Sequence, residues 1–176
     1  SSVKSTIGPQ DTLIFKGEHK FSLSFLMEQL EESTPNTLVC VNLAAILSNL
    51  ELIRKKLSNN TRVMVMVKAL AYGTDDYRIS HFLRKCGIDI LGVSYVDEGV
   101  RLRLNGDTQA IFTLHASDHE MKKAVRWGLE VGISTKEQLL AAQKAALELH
   151  TQAKVHLHID TGMKRFGCLP ENGLHL

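Results

Sequence analysis

Lys68 closes a nearly unbroken apolar run, Arg62–Val67 (RVMVMV), and opens the segment KALAYG. An amine that follows buried residues cannot snorkel far towards water. Desolvation at such a position lowers the amine's pKa and makes it a nucleophile. A lysine of that kind condenses with an aldehyde cofactor as a Schiff base. The plain alternative is a solvated lysine at a strand end. The neighbours favour chemistry. Ala69 and Ala71 are small and leave room for a flat ring, while Tyr72 and Gly73 add a phenol donor and a flexible backbone. A second constellation is HIDTGMKRFG, His158–Gly167. Asp160-Thr161-Gly162 would turn the chain sharply out of a strand. Arg165, on the loop that follows, suits a carboxylate or a phenolate, either of which it can bind through two donors. The alternative is a surface arginine on a loop. His156 and His158 alternate on one strand and share a face, a spacing that can hold a metal. No spacing rule brings His115 or Asp160 to them, so no metal is expected. His115 and His119 pair only if HASDH is helical, and Ser117-Asp118 looks like a helix start instead. Asp97 and Glu98 read as favourable charges at a helix amino terminus.

The elements that would carry these residues alternate along the chain from Thr37 onward. Strand-like runs are Leu38–Leu43 (LVCVNL), Arg62–Val67, Asp89–Tyr95, Gln109–Leu114, Leu129–Ser134 and Val155–Ile159. Helix-like segments are Ala44–Leu57, Tyr77–Cys86, Asp97–Asn105, Asp118–Arg126 and Thr135–Leu149. The first has Ile46, Leu47, Leu50, Ile53 and Leu57 on one face. Ser134 or Thr135 would cap the last, with Glu137 and Gln138 in its first turn. Arg62–Val67 has the apolar character of a parallel strand buried on both faces. Strand then helix, repeated, is the pattern of parallel βα units. A (β/α)8 barrel and an open doubly wound sheet both fit. No GxGxxG or GxxxxGKS/T follows a strand, which favours the barrel. In a barrel the chemistry lies at the carboxyl ends of strands, here Lys68, Tyr95, His115, Ser134 and Asp160. The expectation is a partial (β/α)8 barrel with about five of eight barrel strands, and hence a fragment.

The bulk numbers are compatible with this. The chain has 176 residues, 44% hydrophobic and 23% charged, enough for an ordinary domain with a real core. A net charge of +2 gives no case for nucleic acid or an acidic membrane surface. Cys40, Cys86 and Cys168 form no CxxC pair, so free thiols in a reducing compartment are expected. No apolar run approaches the ~20 residues that span a bilayer. The opening SSVKSTIGPQ has no signal-peptide core and no initiator Met, as at a processed or cut terminus, and a cytoplasmic location is expected. Residues 1–10 look like a loop, Asp11–Lys16 like a strand, Phe21–Glu32 like an amphipathic helix and Ser33–Asn36 like a break.

VKALAYG (Val67–Gly73) resembles the cofactor-lysine motif of alanine racemases, VKANAYGHG, and HIDTGMKRFG resembles their DTGMGRLG segment. YVDEGVRLR (Tyr95–Arg103) and Val41–Leu57 also match the family's pattern, so the resemblance covers roughly residues 37–170. It implies a fold-type-III pyridoxal 5'-phosphate enzyme, a (β/α)8 barrel with a carboxyl-terminal β domain. It also implies that Leu38–Leu43 belongs with that later domain rather than with the barrel. On the same resemblance Lys68 binds the cofactor covalently and is one of two bases, and Tyr72 hydrogen-bonds the phosphate. Arg165 contacts the phenolic oxygen and the substrate carboxylate region. The second base would be a Tyr from the partner subunit of a homodimer, so the fragment alone is expected to be inactive. Two departures stand out. Leu70 and Thr74-Asp75 replace the motif's Asn and His-Gly. His158 stands where many members carry a Lys that becomes carbamylated and supports the Arg. Arg165 must then be held by His158 itself, by a bound anion, or otherwise.

Residues 1–33 resemble something else. DTLIFKGEHKFSLSFLMEQLEE is similar to the carboxyl-terminal end of the ATP-dependent ligase that adds D-alanyl-D-alanine to the muropeptide. The expected domains are therefore a ligase tail at 1–33, a linker at 34–37 and the truncated racemase barrel at 38–176, in a bifunctional protein acting on alanine. The alternatives are another fold-type-III enzyme (a serine racemase or a decarboxylase), a non-catalytic cofactor-binding barrel, or a metal-dependent hydrolase barrel.

Overall fold

Among the described residues, five short strands lie side by side in the order in which the chain makes them. They are β1 (Met64–Met66), β2 (Ile90–Val93), β3 (Ala110–Thr113), β4 (Glu130–Ile133) and β5 (Lys154–Leu157). Every neighbouring pair is parallel, with Met66 opposite Gly92, Gly92 opposite Phe112, Thr113 opposite Val131 and Gly132 opposite His156. The computed structural model describes residues 39–173, and the residues from Val41 onward form one compact unit. A doubly wound sheet reverses its strand order part-way, whereas a barrel wall does not. The unreversed order decides between the two architectures that fit the sequence. The fold is α/β, with the alternating elements of a partial (β/α)8 barrel.

Helix α1 (Leu43–Arg54) precedes β1, and a short turn α2 (Lys68–Gly73) with α3 (Asp76–Lys85) follows it. Helices α4 (Val96–Leu104), α5 (Asp118–Arg126) and α6 (Lys136–Glu148) follow β2, β3 and β4, and the single turn α7 (Pro170–Gly173) follows β5. The starts are fixed by residues that satisfy the free N–H groups of a first turn. Asn42 Oδ1 accepts from Ala45 N at 3.1 Å, Asp75 Oδ1 from Arg78 N at 2.9 Å and Thr135 Oγ1 from Gln138 N at 3.3 Å. At α5, Glu120 Oε2 reaches back to Ser117 N at 3.1 Å, half of a capping box.

The core lies between the sheet and its helices. β2 is buried along its whole length, and Leu91, Val93, Ile111 and Val131 pack with Val96, Leu102, Met121, Ala124 and Leu129. Gly99 lets α4 come close, since a Cβ there would lie 2.9 Å from Leu129 Cδ1. Two buried polar pairs sit among the helices: Asp76 takes two hydrogen bonds from Arg101, at 2.6 and 2.8 Å, and Ser80 Oγ donates to Asp107 Oδ2 at 2.7 Å. Arg103 donates to the carbonyls of Asp107, Gln109, Trp127 and Gly128, tying two helix-to-strand turns together. Burial pulls its guanidinium below the ordinary arginine value. Cys40, Cys86 and Cys168 are free thiols.

The structure corrects several boundaries. Val39–Asn42 form no strand; Asn42 caps α1 and Leu43 is already helical, so the apolar run before it stays exposed. Helix α1 stops at Arg54, leaving Leu57 outside it and Ile53 exposed. β1 is shorter than Arg62–Val67 and only partly buried, and it pairs with β2 alone among the described residues. β5 is likewise an edge, with Val155 and Leu157 exposed. The strand, helix and break read at 11–16, 21–32 and 33–36 lie outside the described residues, as does Leu38. No helix among the described residues is long and apolar enough to cross a membrane.

Candidate active site

Lys68 leaves β1 half-buried, directly after Val67, whose N–H extends the β1–β2 pairing to Gly92 O at 2.8 Å. The next four residues make one turn of left-handed helix: Ala69, Leu70, Ala71 and Tyr72 have φ of 51°, 57°, 51° and 61°. The turn is closed by Ala71 N to Val67 O and Thr74 N to Leu70 O, both 2.9 Å. Left-handed backbone costs an L-residue about 1–2 kcal/mol, so four in a row persist only where their surroundings hold them. Thr74 Oγ1 donates to Ala71 O at 2.8 Å, and Ala71 itself is buried. Glu98, in the first turn of α4, supplies the other restraint. Its Oε1 accepts from Ala69 N at 2.7 Å, and its Oε2 accepts from Ser94 N at 2.7 Å and Tyr95 N at 3.2 Å. A residue that reads as a plain helix-start charge therefore ties the backbone beside Lys68 to the end of β2. Tyr72 projects from the turn, 65% exposed.

The second constellation is built on β5. Asp160 Oδ1 accepts from Gly162 N at 2.8 Å and Lys164 N at 3.0 Å. These N–H groups hold its carboxyl below the ordinary range. The loop then folds back: Asp160 N donates to Cys168 O at 2.8 Å and Cys168 N to His158 O at 2.9 Å. Gly167 makes the close approach possible, at φ 99°, where a Cβ would lie 2.6 Å from Asp160 N. Its N–H donates to Ser134 Oγ at 3.0 Å, linking the loop to the end of β4. Arg165 is exposed, with its guanidinium carbon 5.2 Å from the centroid of the Phe166 ring. Phe166 in turn stacks on His158 and on His115, each at 6.1 Å. Among the described residues His158 Nδ1 is buried with no hydrogen-bond partner.

His156 and His158 share a face as their spacing predicts, but they do different things. His156 Nε2 meets Glu130 Oε2 at 2.7 Å, and its ring meets Phe112 edge-on at 4.8 Å. Among the described residues no group of three His, Cys, Asp or Glu side chains is placed to hold a metal. His115 precedes α5 rather than lying in it, so it forms no helical pair with His119. Tyr95 sits at the start of α4, 59% exposed.

The parallel ladder continues past the strand ends, through Leu114 N to Val93 O, His115 N to Ser94 O and His158 N to Ile133 O. Lys68, Tyr95, His115, Ser134, Asp160 and Arg165 therefore belong to one rim. Lys68 and Arg165 follow opposite edges of the sheet, four strand spacings or about 19 Å apart along its surface. Lys68, Tyr72 and Arg165 share no hydrogen bond or ion pair among the described residues. Among the described residues, a hollow of about 290 Å³ lies between α5 and α6 and one of about 520 Å³ between α6 and β5, both away from this rim.

Strand order and rim together define part of the wall of a (β/α)8 barrel, a fold class whose sites lie at the carboxyl ends of the strands. Residues 41–176 match the family described as alanine racemase, N-terminal domain, and the chain belongs to that family. An alanine racemase of Citrifermentans bemidjiense is 34% identical over 134 residues, covering 74% of this chain and 35% of that one. A serine/alanine racemase of Enterococcus gallinarum is 35% identical over 127 residues, covering 72% of this chain and 18% of that one. Among solved structures, an alanine racemase of Clostridium difficile 630 superposes with a TM-score of 0.73 at 29% identity, covering 77% of this chain and 36% of that one. A histidine racemase of Leuconostoc mesenteroides gives a TM-score of 0.68 at 26% identity, covering 75% and 36%. The chain spans about a third of the length of the alanine racemases it matches.

Proposed function

We propose that the protein is a pyridoxal 5'-phosphate-dependent alanine racemase, with the cofactor bound covalently through Lys68 Nζ. The observation that carries this reading is Lys68 at the end of β1, beside a strained turn that Glu98 restrains, in a chain of this family. The donor set fits the cofactor. A primary amine suits the aldehyde, the Tyr72 phenol suits the phosphate, and the Arg165 guanidinium suits the phenolic oxygen and a substrate carboxylate. None of the three is neutralised by a carboxylate among the described residues.

When bound, the cofactor supplies an electron sink that acidifies the substrate Cα–H. Lys68 Nζ would take or return the proton on one face of the substrate once the substrate amine has replaced it on the cofactor and left it a free amine. Tyr72 holds the phosphate end and Arg165 orients the ring and carboxylate, so the Cα–H bond is presented to Lys68 in one geometry. The base on the other face is assigned, by family resemblance, to a Tyr of the partner subunit in a homodimer. The substrate is alanine and the product D-alanine, made for peptidoglycan in the cytoplasm. Residues 1–33 are assigned to the tail of a muropeptide ligase, 34–37 to a linker and 38–176 to the racemase, in one bifunctional protein. The likeness to a serine/alanine racemase and a histidine racemase keeps a second amino-acid substrate as the alternative.

The test uses the full-length protein. Borohydride reduction followed by peptide mapping should place the cofactor on Lys68, and L-alanine should be converted to D-alanine. Lys68→Ala should lose both; if it keeps both, the assignment fails. Parallel assays with serine and histidine set the substrate. ATP-dependent joining of D-alanyl-D-alanine to a muropeptide acceptor tests the ligase assignment.

A further inference from the structure

We infer that Arg165 takes its orientation from an aromatic seat, with Phe166 as a positioning residue and His158 and His115 as the supports of its ring. This rests on the reading above of Arg165 as the cation that faces the cofactor. Arg165 is exposed and has no carboxylate partner among the described residues. A free arginine side chain samples many rotamers, so something must narrow its choice. A guanidinium within about 6 Å of a ring centroid is attracted to the ring face, and the Arg165 carbon lies 5.2 Å from Phe166.

A seat positions a cation only if it is itself fixed, and Phe166 is held from three strand ends. His115 beyond β3 and His158 beyond β5 stack on its ring at 6.1 Å, with interplanar angles of 28° and 26°. The backbone on its carboxyl side is pinned by Gly167 N to Ser134 Oγ, beyond β4, and by Cys168 N to His158 O. The imidazole of His158 presents its face to the Phe166 ring, and its Nδ1 is buried with no partner among the described residues. The resembling family segment DTGMGRLG has Leu where this chain has Phe166, so the ring and His158 occur together as this chain's departures from the pattern.

The experiment compares full-length wild type with Phe166→Leu, Phe166→Met and Phe166→Tyr. The first two keep apolar volume without a ring; the third keeps the ring. Cofactor affinity is measured by titration with pyridoxal 5'-phosphate, and the imidazole C–H resonances of His115 and His158 are recorded without cofactor. Loss of the ring should weaken cofactor affinity about threefold to tenfold and shift both imidazole signals, while Phe166→Tyr stays within about twofold of wild type. Wild-type affinity in Phe166→Leu and Phe166→Met, or unmoved imidazole signals, overturns the seat. If those variants do not fold, His158→Phe against His158→Leu asks the same question: the ring should preserve affinity and its loss should not. Absence of a borohydride-stable adduct on Lys68 in wild type would instead sink the cofactor reading, and the imidazole signals would still report on the stack.

Discussion

At the scale of single residues, the backbone beside Lys68 hangs on one carboxylate, Glu98, whose two oxygens accept from Ala69 N, Ser94 N and Tyr95 N. Lys68, Tyr72 and Arg165 carry reactive or donor groups in recognisable segments. Glu98 does not stand out, because its partner is the Ala69 N–H, and a left-handed turn had to form before that N–H pointed at anything. Glu98→Ala removes an acceptor from three N–H groups. It should cost about 1–3 kcal/mol in urea unfolding and speed hydrogen exchange at Ala69, with Glu98→Gln in between. Asp160 offers a pH test. Its carboxyl is held below its ordinary value of 3.8 by the Gly162 and Lys164 N–H groups. It therefore stabilises the loop fully above that ordinary value, and the contribution fades as pH falls through the lower, folded-state value. Asp160→Asn should flatten this acid limb in stability measured against pH.

At the scale of elements, periodicity located every strand from β1 to β5 to within a few residues, and α5 to the residue. It failed where pairing rather than pattern decides. LVCVNL has strand composition, but Asn42 is better used as a cap, since its side chain satisfies Ala45 N and releases Leu43 into α1. RVMVMV has the composition of a strand covered on both faces, yet β1 is only partly buried and pairs with β2 alone among the described residues. The loop after β5 turns on Gly167, whose role depends on a 2.6 Å approach that no local pattern encodes. Gly167→Ala meets both a backbone clash and a positive φ, and should lower stability by more than about 1 kcal/mol, seen as a drop in Tm. Between α3 and α4, Arg101→Leu would strand the buried carboxylate of Asp76. A loss of about 2–4 kcal/mol in denaturant unfolding is expected, against a smaller loss for the double variant with Asp76→Leu.

At the scale of the whole molecule, two unlike features agree. The strand order is unreversed, and the residues of interest all follow carboxyl ends of strands. The first marks a barrel wall, and the second puts the residues of the proposed chemistry on one rim of it. The order was not legible in the sequence, because alternating βα units are common to open sheets and barrels. What broke the tie there was a missing phosphate loop, an indirect argument that hydrogen-bond topology now replaces.

The sheet has two outer strands, and each leaves one row of backbone N–H and C=O groups without a strand partner among the described residues. Such rows act as templates for further pairing. A strand laid against either row would continue the same parallel ladder, so the two edges mark the places where the wall of a closed barrel takes up its next strand on each side.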